Sequence, residues 1–175
     1  MDAIELLTKQ HREAQDMLAR LTGDAELSRG ARRELFAQLK DALTLHTKME
    51  EEVFYPELQR FDETRPLVEE SYEEHRRVDQ LLRRVGDAGG PGPGGKARRG
   101  RAGAAAGSGR RGELAELRDA VTHHVDEEEN GLFPRAAKLL AADRLRDMGY
   151  EMRRLETGQS EKDQLIYPAS RLGRS

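Results

Sequence analysis

Four segments of the chain carry apolar residues at alternating steps of three and four, and no other feature constrains the fold as much. Such spacing places one apolar stripe along an α-helix. Because the chain is 36% hydrophobic and 36% charged, its core must be narrow, which suits helices that each bury one stripe. There is no Trp or Cys, and Val and Ile are few. We therefore expect an all-α protein without disulfides, thiolate metal sites or iron–sulfur clusters.

The stripes and the helix-terminating residues predict five helices in one domain over residues 1–156. Ser28 is a plausible N-cap, Gly23 a plausible helix end, and Pro56 is expected to kink the second helix. Residues 157–175 are expected to form a loose C-terminal tail. The expected helices span residues 2–21, 28–60 and 63–85, a fourth starts near Glu113, and a short fifth helix covers Ala142–Glu156.

Residues 88–112 interrupt this domain with an abrupt change in composition. They hold ten of the 17 Gly and no acidic residue, which predicts a flexible linker. Basic tracts of this kind can contact nucleic acid phosphates. Because no aromatic residue interleaves with the cations and no recognition fold is indicated, we favour a spacer that does not bind nucleic acid. The cations are Lys96, Arg98, Arg99, Arg101, Arg110 and Arg111.

The remaining composition indicates a soluble, cytoplasmic protein. The N-terminus has no basic region followed by an apolar run, as a secretory signal would. No segment approaches 18 apolar residues, so we expect no membrane span. The formal net charge of −3 is too small to indicate a partner.

Four of the five His lie on the apolar stripes, one on each of the first four helices: His11, His46, His75 and His124. Glu50 and Glu128 follow two of them by four residues, so each His–Glu pair points the same way. A single stripe His is usually a core residue bonded to a carbonyl, and a single His–Glu pair is usually a surface contact. Burying two carboxylates would lower the stability of the fold by several kcal/mol each unless favourable interactions offset the lost hydration. Cations held among the carboxylates would supply those interactions.

The two His–Glu pairs belong to an internal repeat. HTKMEEEVFYP (46–56) and HVDEEENGLFP (124–134) share His, Glu four residues later and Pro ten residues later. We infer two helical hairpins related by a pseudo-twofold axis. Glu51 is expected to face solvent or the edge of the bundle. Imidazole and carboxylate ligands suit iron, manganese or zinc. Six such ligands cannot saturate two octahedral ions, which leaves positions open for oxo, hydroxo, dioxygen or peroxide.

The ordered set of His11, His46, Glu50, His75, His124 and Glu128 resembles the hemerythrin-like HHE cation-binding family over roughly residues 1–155, apart from the linker. The resemblance implies an up-down-up-down four-helix bundle with two oxo- or hydroxo-bridged non-haem iron ions. Glu50 and Glu128 would bridge the ions and the four His would cap them. Members bind dioxygen or act in oxygen, nitric oxide, peroxide or iron sensing.

One departure from the oxygen-carrying hemerythrins bears on function. They place a second His four residues after the His of the third helix, where this chain has Asp79. They also have Asp five residues after the His of the fourth helix, where this chain uses Glu128. With one His fewer, simple oxygen carriage is disfavoured. The remaining hypotheses are a module that binds or senses a small ligand and an enzyme that decomposes peroxide. We interpret Asp79 as a polar residue at the edge of the stripe, and Tyr55 and Tyr72 as packing aromatics. Each of the three could nevertheless approach the metal.

Overall fold

A computed structural model describes residues 1–23, 26–87 and 103–158, and these ranges contain helices and turns without any strand. The long second and fourth helices each change from α to π geometry and back. The elements are α1 (Ala3–Gly23), α2 (Arg29–Met49), a first π segment (Glu50–Phe54), α3 (Tyr55–Leu58), α4 (Arg65–Asp87), α5 (Gly103–Glu127), a second π segment (Glu128–Leu132), α6 (Phe133–Leu139) and α7 (Ala142–Glu156).

The helices form an up-down-up-down bundle with one additional C-terminal helix, as the sequence predicts. Helix α1 packs against α2 and α5, α5 packs against α4, and α4 meets α3 to complete the circuit. The additional helix α7 has the predicted bounds and lies over α1, α2 and the first π segment. Within the described ranges, no helix is long and apolar enough to cross a membrane.

Local sequence explains most helix ends, with one difference from expectation. Ser28 caps α2, since its side chain accepts a hydrogen bond from the backbone of Ala31. Helix α5 begins at Gly103, ten residues before the predicted start, so residues 103–112 of the expected linker are helical. Ala104–Ala106 is a run of the strongest helix former, which outweighs the surrounding Gly. Residues 88–102 and 159–175, where the rest of the linker and most of the tail were expected, lie outside the described residues.

The two π segments stand in place of the expected kink at Pro56. In each copy of the repeat, the π segment starts at the Glu and ends just before the residue that precedes Pro. Proline has no N–H and its ring crowds the carbonyl four residues earlier, so the preceding turn must widen. The backbone N–H of Tyr55 accordingly bonds the carbonyl of Glu50, five residues back, and Phe133 does the same with Glu128.

The core consists of two apolar clusters with a polar band between them. One cluster lies toward the start of α1 and includes Leu7, Phe54 and Met148. The other lies toward the end of α1 and includes Leu18, Leu39 and Leu117. On α1, α2 and α4 the stripe His falls between residues of the two clusters, and His124 lies at the end of the stretch that α5 adds to the second cluster. The fold therefore brings the predicted site to the middle of the bundle.

Helix α7 packs closely against the N-terminal backbone at Gly149. A Cβ atom there would lie 2.7 Å from the carbonyl carbon of Asp2 and 2.9 Å from the nitrogen of Ala3. Because both contacts are backbone, we expect Gly149→Ala to lower the free energy of unfolding by about 2 kcal/mol, as overpacking typically does. Denaturant unfolding measures this effect.

Gly86→Ala is the matched control, because Gly86 is also helical and its added Cβ would meet only the ring of Phe36 at 3.8 Å. The control should be neutral or slightly stabilising. Equal stability of the two variants would contradict the close approach of α7 to the N-terminus.

Candidate metal centre

The six sequence-predicted side chains meet in the polar band, and all six are buried. Ligand atoms of His11, His46, Glu50, His124 and Glu128 lie within 4.8 Å of one another. His75 joins them through its Nε2, which is 3.1 Å from Oε2 of Glu50. Each helix of the bundle thus supplies at least one group to the same small volume.

The imidazoles form two matching pairs. The ring centroids of His11 and His46 are 4.8 Å apart with an interplanar angle of 63°, and those of His75 and His124 have the same separation and angle. Each pair comes from one of the two helical hairpins inferred from the sequence. The pseudo-twofold relation inferred from the sequence is therefore present in the geometry of the side chains.

Each buried carboxylate lies between the two imidazole pairs. Oε2 of Glu50 is 3.2 Å from Nε2 of His46 and 3.1 Å from Nε2 of His75. Oε2 of Glu128 is 3.2 Å from Nε2 of His11 and 3.6 Å from Nε2 of His124. Each carboxylate can therefore reach a group held by one pair and a group held by the other.

All four imidazoles are oriented by an acceptor on Nδ1. The Nδ1 of His11 lies 3.0 Å from Oε1 of Glu129, and that of His75 lies 2.9 Å from Oε1 of Glu51. Both acceptors directly follow a buried carboxylate in the sequence. Since a carboxylate only accepts, the imidazole hydrogen is on Nδ1 and the Nε2 lone pair faces the centre.

The other two imidazoles are oriented by the residues that precede the stripe His of α1 and α4. The Nδ1 of His46 lies 3.0 Å from Oε1 of Gln10, and that of His124 lies 3.0 Å from Oε2 of Glu74. The two halves thus differ at this position, with a neutral amide in one and a carboxylate in the other.

This donor set fits a bound cation. With hydrogen on Nδ1, the Nε2 lone pairs of His11 and His46 face each other at 3.2 Å, which is repulsive unless a proton or a cation lies between them. Both carboxylate oxygens of Glu50, Oε2 of Glu128 and Nε2 of His124 are buried without a hydrogen-bond partner. A metal ion among these atoms would satisfy them all.

Burial and neighbouring charges separate the two carboxyl groups. Burial raises the pKa of Glu50 well above its usual value, and the charge of Glu128 raises it further. Burial alone would also raise the pKa of Glu128, but the imidazoles of His124 and His11 hold it below its usual range. Two adjacent carboxyl groups favour sharing one proton, and the opposite directions of these two shifts make Glu50 the weaker acid of the pair. Burial and then the charge of His11 lower the pKa of His46, which keeps its Nε2 unprotonated.

Tyr55 also reaches the centre, although the sequence indicated a packing aromatic. Its hydroxyl donates to Oε1 of Glu128 at 2.9 Å and lies 3.2 Å from Nε2 of His75. The counterpart of Tyr55 in the repeat is Phe133, and each ring stacks on a His, Tyr55 on His75 and Phe133 on His11. The hydroxyl is therefore a second difference between the two halves.

Other residues considered from the sequence lie outside the centre. Asp79 is 56% exposed and pairs with Arg83, and the ring of Tyr72 packs on Tyr55. His123 is 59% exposed and lies 3.3 Å from Oε1 of Glu74. Glu51 is at the bundle edge as expected, but it also orients His75.

Comparisons with known proteins agree with this arrangement. The family described as "Hemerythrin HHE cation binding domain" matches residues 2–136. A crystal structure of a hemerythrin HHE cation-binding domain-containing protein from Mycobacterium kansasii resembles this chain with a TM-score of 0.69 and 20% identity. That likeness covers 98% of this chain and 95% of the other, and at this identity it concerns the fold. No curated protein matches the chain.

The family match covers well over half of the 175 residues and includes all six buried His and Glu residues. The fold, the convergence of these side chains and the family match agree with one another. The buried cluster of His and Glu fits the cation binding that the description of this family names. The chain therefore belongs to the hemerythrin HHE cation-binding family.

Proposed function

We propose that this protein holds two non-haem iron ions in the bundle core and binds or senses a small ligand such as dioxygen, nitric oxide or peroxide. The observation that carries the proposal is the convergence of four Nε2 atoms and two carboxylates, all buried, with every imidazole anchored through Nδ1. Such anchoring fixes metal-ligating His in other metalloproteins. Imidazole and carboxylate donors suit iron, while manganese and zinc are the alternatives to test.

The contacts suggest a role for each side chain. His11 and His46 would hold one ion, and His75 and His124 the other, because each pair is close and comes from one helical hairpin. Glu50 and Glu128 would bridge, since each touches one His of each pair. When bound, iron supplies redox activity and open coordination positions for a small ligand. The surrounding apolar clusters limit the access of water to this site.

Metal analysis of the purified protein tests the proposal, with about two irons per chain expected. Exposure of the reduced protein to nitric oxide should then change the absorption spectrum. Release of oxygen from hydrogen peroxide, two molecules giving two waters and one dioxygen, would instead assign the alternative, a peroxide-decomposing enzyme. Protein purified with no bound metal, and unable to take up iron, would contradict both.

The hydroxyl of Tyr55 gives a more specific prediction. We expect Tyr55→Phe to shift the absorption spectrum of the iron-loaded protein, because the hydroxyl touches both Glu128 and His75. Tyr72→Phe is the control, since it removes the same hydroxyl group from a neighbouring ring that packs against Tyr55. Unchanged spectra in both variants would show that the Tyr55 hydroxyl does not influence the metal.

A further inference from the structure

A cavity of about 150 Å³ leads from the centre to the protein surface between α1 and α2. Its inner end is formed by the rings of His11, His46, His75 and His124. Apolar side chains, among them Leu43 and Val121, form its walls. The cavity is large enough for a diatomic ligand or peroxide, and its volume resembles that of cavities that admit small apolar molecules.

The outer end of the cavity is acidic. Glu13 and Glu156 line it, and both are exposed. Glu13 is paired with Lys9 at 3.3 Å, which offsets its charge. The carboxylate of Glu156 instead accepts a hydrogen bond from the amide of Gln10 at 3.0 Å. Glu156 therefore contributes a negative charge where a ligand would enter.

Gln10 spans the distance between this outer end and the centre. Its amide nitrogen donates to Glu156, so its amide oxygen is left to accept from Nδ1 of His46. The side chain is half-buried and lines the cavity. A ligand that reaches His46 by this path must pass beside the Gln10 amide.

The counterpart of Gln10 in the second half of the molecule is placed differently with respect to this cavity. Glu74, the counterpart of Gln10, orients His124 in the same way and also lies beside His123, but it does not line the cavity. Orienting an imidazole therefore does not require an amide or a cavity. Gln10 combines the orienting contact with a position on the wall of this cavity, and Glu74 does not.

We propose that Gln10 and Glu156 control the access of small ligands to the His11–His46 side of the centre, and that Glu156 favours neutral ligands over anions. The inference rests on the proposed iron centre. Gln10, held by Glu156, narrows the path, and the carboxylate repels anions that approach it. A charge at the edge of a binding site acts mainly on the association rate, as expected here.

Stopped-flow absorption with two probes tests the proposal, using nitric oxide on the reduced protein and azide on the oxidised protein. Gln10→Ala should raise the association rates of both probes by about threefold or more, since it widens the path. Glu156→Gln keeps an acceptor for Gln10 but loses the charge, so it should raise the azide rate by about threefold and leave the nitric oxide rate nearly unchanged.

Glu151→Gln is the matched control. It removes the same charge from α7, but Glu151 pairs with Arg144 and does not line the cavity. Its rates should equal those of the natural protein. If Gln10→Ala loses iron through its contact with His46, Glu156→Ala replaces it, because Glu156 does not touch an imidazole among the described contacts and its loss releases the Gln10 amide.

The outcomes separate this inference from the proposed function. In one outcome, the natural protein holds iron and binds nitric oxide, and the Gln10 and Glu156 variants have the same association rates as the natural protein. The proposed access path is then wrong, and the proposed metal centre stands. An equal increase in Glu151→Gln would attribute the azide effect to net charge and also contradict the path. If the natural protein takes up no iron, both proposals fail.

Discussion

Replacing His124 with alanine should sharply lower the iron content from about two ions per chain, whereas replacing His123 should leave it nearly unchanged. The two residues are adjacent, and each has a Glu four residues later, so the sequence offers two candidate pairs. His124 is buried, and its Nε2 points at the two buried carboxylates. A helix turns by about 100° per residue, which carries His123 to the surface.

Iron measured per chain in the two variants decides between these pairs, and circular dichroism establishes that both variants fold. His123 lies beside Glu74, which orients His124, so a small loss of iron in His123→Ala remains compatible with the assignment. The opposite ranking would overturn the assignment of His124, and of Glu128 with it, because the two share one face of α5 and the segment that follows.

The positions of the six buried residues could be predicted because each depends on one helix at a time. The stripe of Leu117, Val121, His124 and Glu128 defines one face, and a face that carries apolar residues must be buried. The repeat then required that both halves be built alike. Neither the apolar stripe nor the repeat depends on how the helices pack against one another.

The residues that orient the imidazoles could not be predicted in this way, because their contacts cross between helices. Glu51 is on the second helix but bonds His75 on α4, and Glu129 follows α5 but bonds His11 on α1. Such contacts depend on which helices are neighbours and on their rotation. The sequence did contain a signal for these contacts. A hydrogen-bond acceptor directly follows the buried Glu in both copies of the repeat, and another acceptor directly precedes both His11 and His75.

The π segments were missed because helical periodicity assumes a constant turn. The Pro that both copies carry ten residues after the His predicts a kink only where it ends the second helix, at Pro56, because proline interrupts the α-helical hydrogen bonds. The wider turn keeps the helix continuous and affects which side chains face the centre. Tyr55 directly follows the first π segment and presents its hydroxyl to Glu128, a contact that counting along a regular helix does not predict.

Iron removal should lower the stability of the protein, since the proposed iron centre would form only in the folded bundle and not in the unfolded chain. A ligand present at a thousandfold excess over its Kd stabilises the native state by about 4 kcal/mol. The metal-free core retains two adjacent carboxyl groups and imidazole lone pairs that face each other. Denaturant unfolding of the chelator-treated and iron-loaded protein measures the difference, and coincident curves would contradict it.

The same experiment at several pH values tests the state of Glu50. Its pKa is raised by burial and by the charge of Glu128, so in the metal-free protein it keeps its proton to higher pH than an ordinary Glu. A carboxylate must lose that proton to bind metal, and iron binding therefore releases a proton and weakens as the pH falls. The stabilisation by iron should accordingly shrink toward acidic pH. In His124→Ala, added iron should produce little stabilisation at any pH, which separates binding at this site from other effects of the metal.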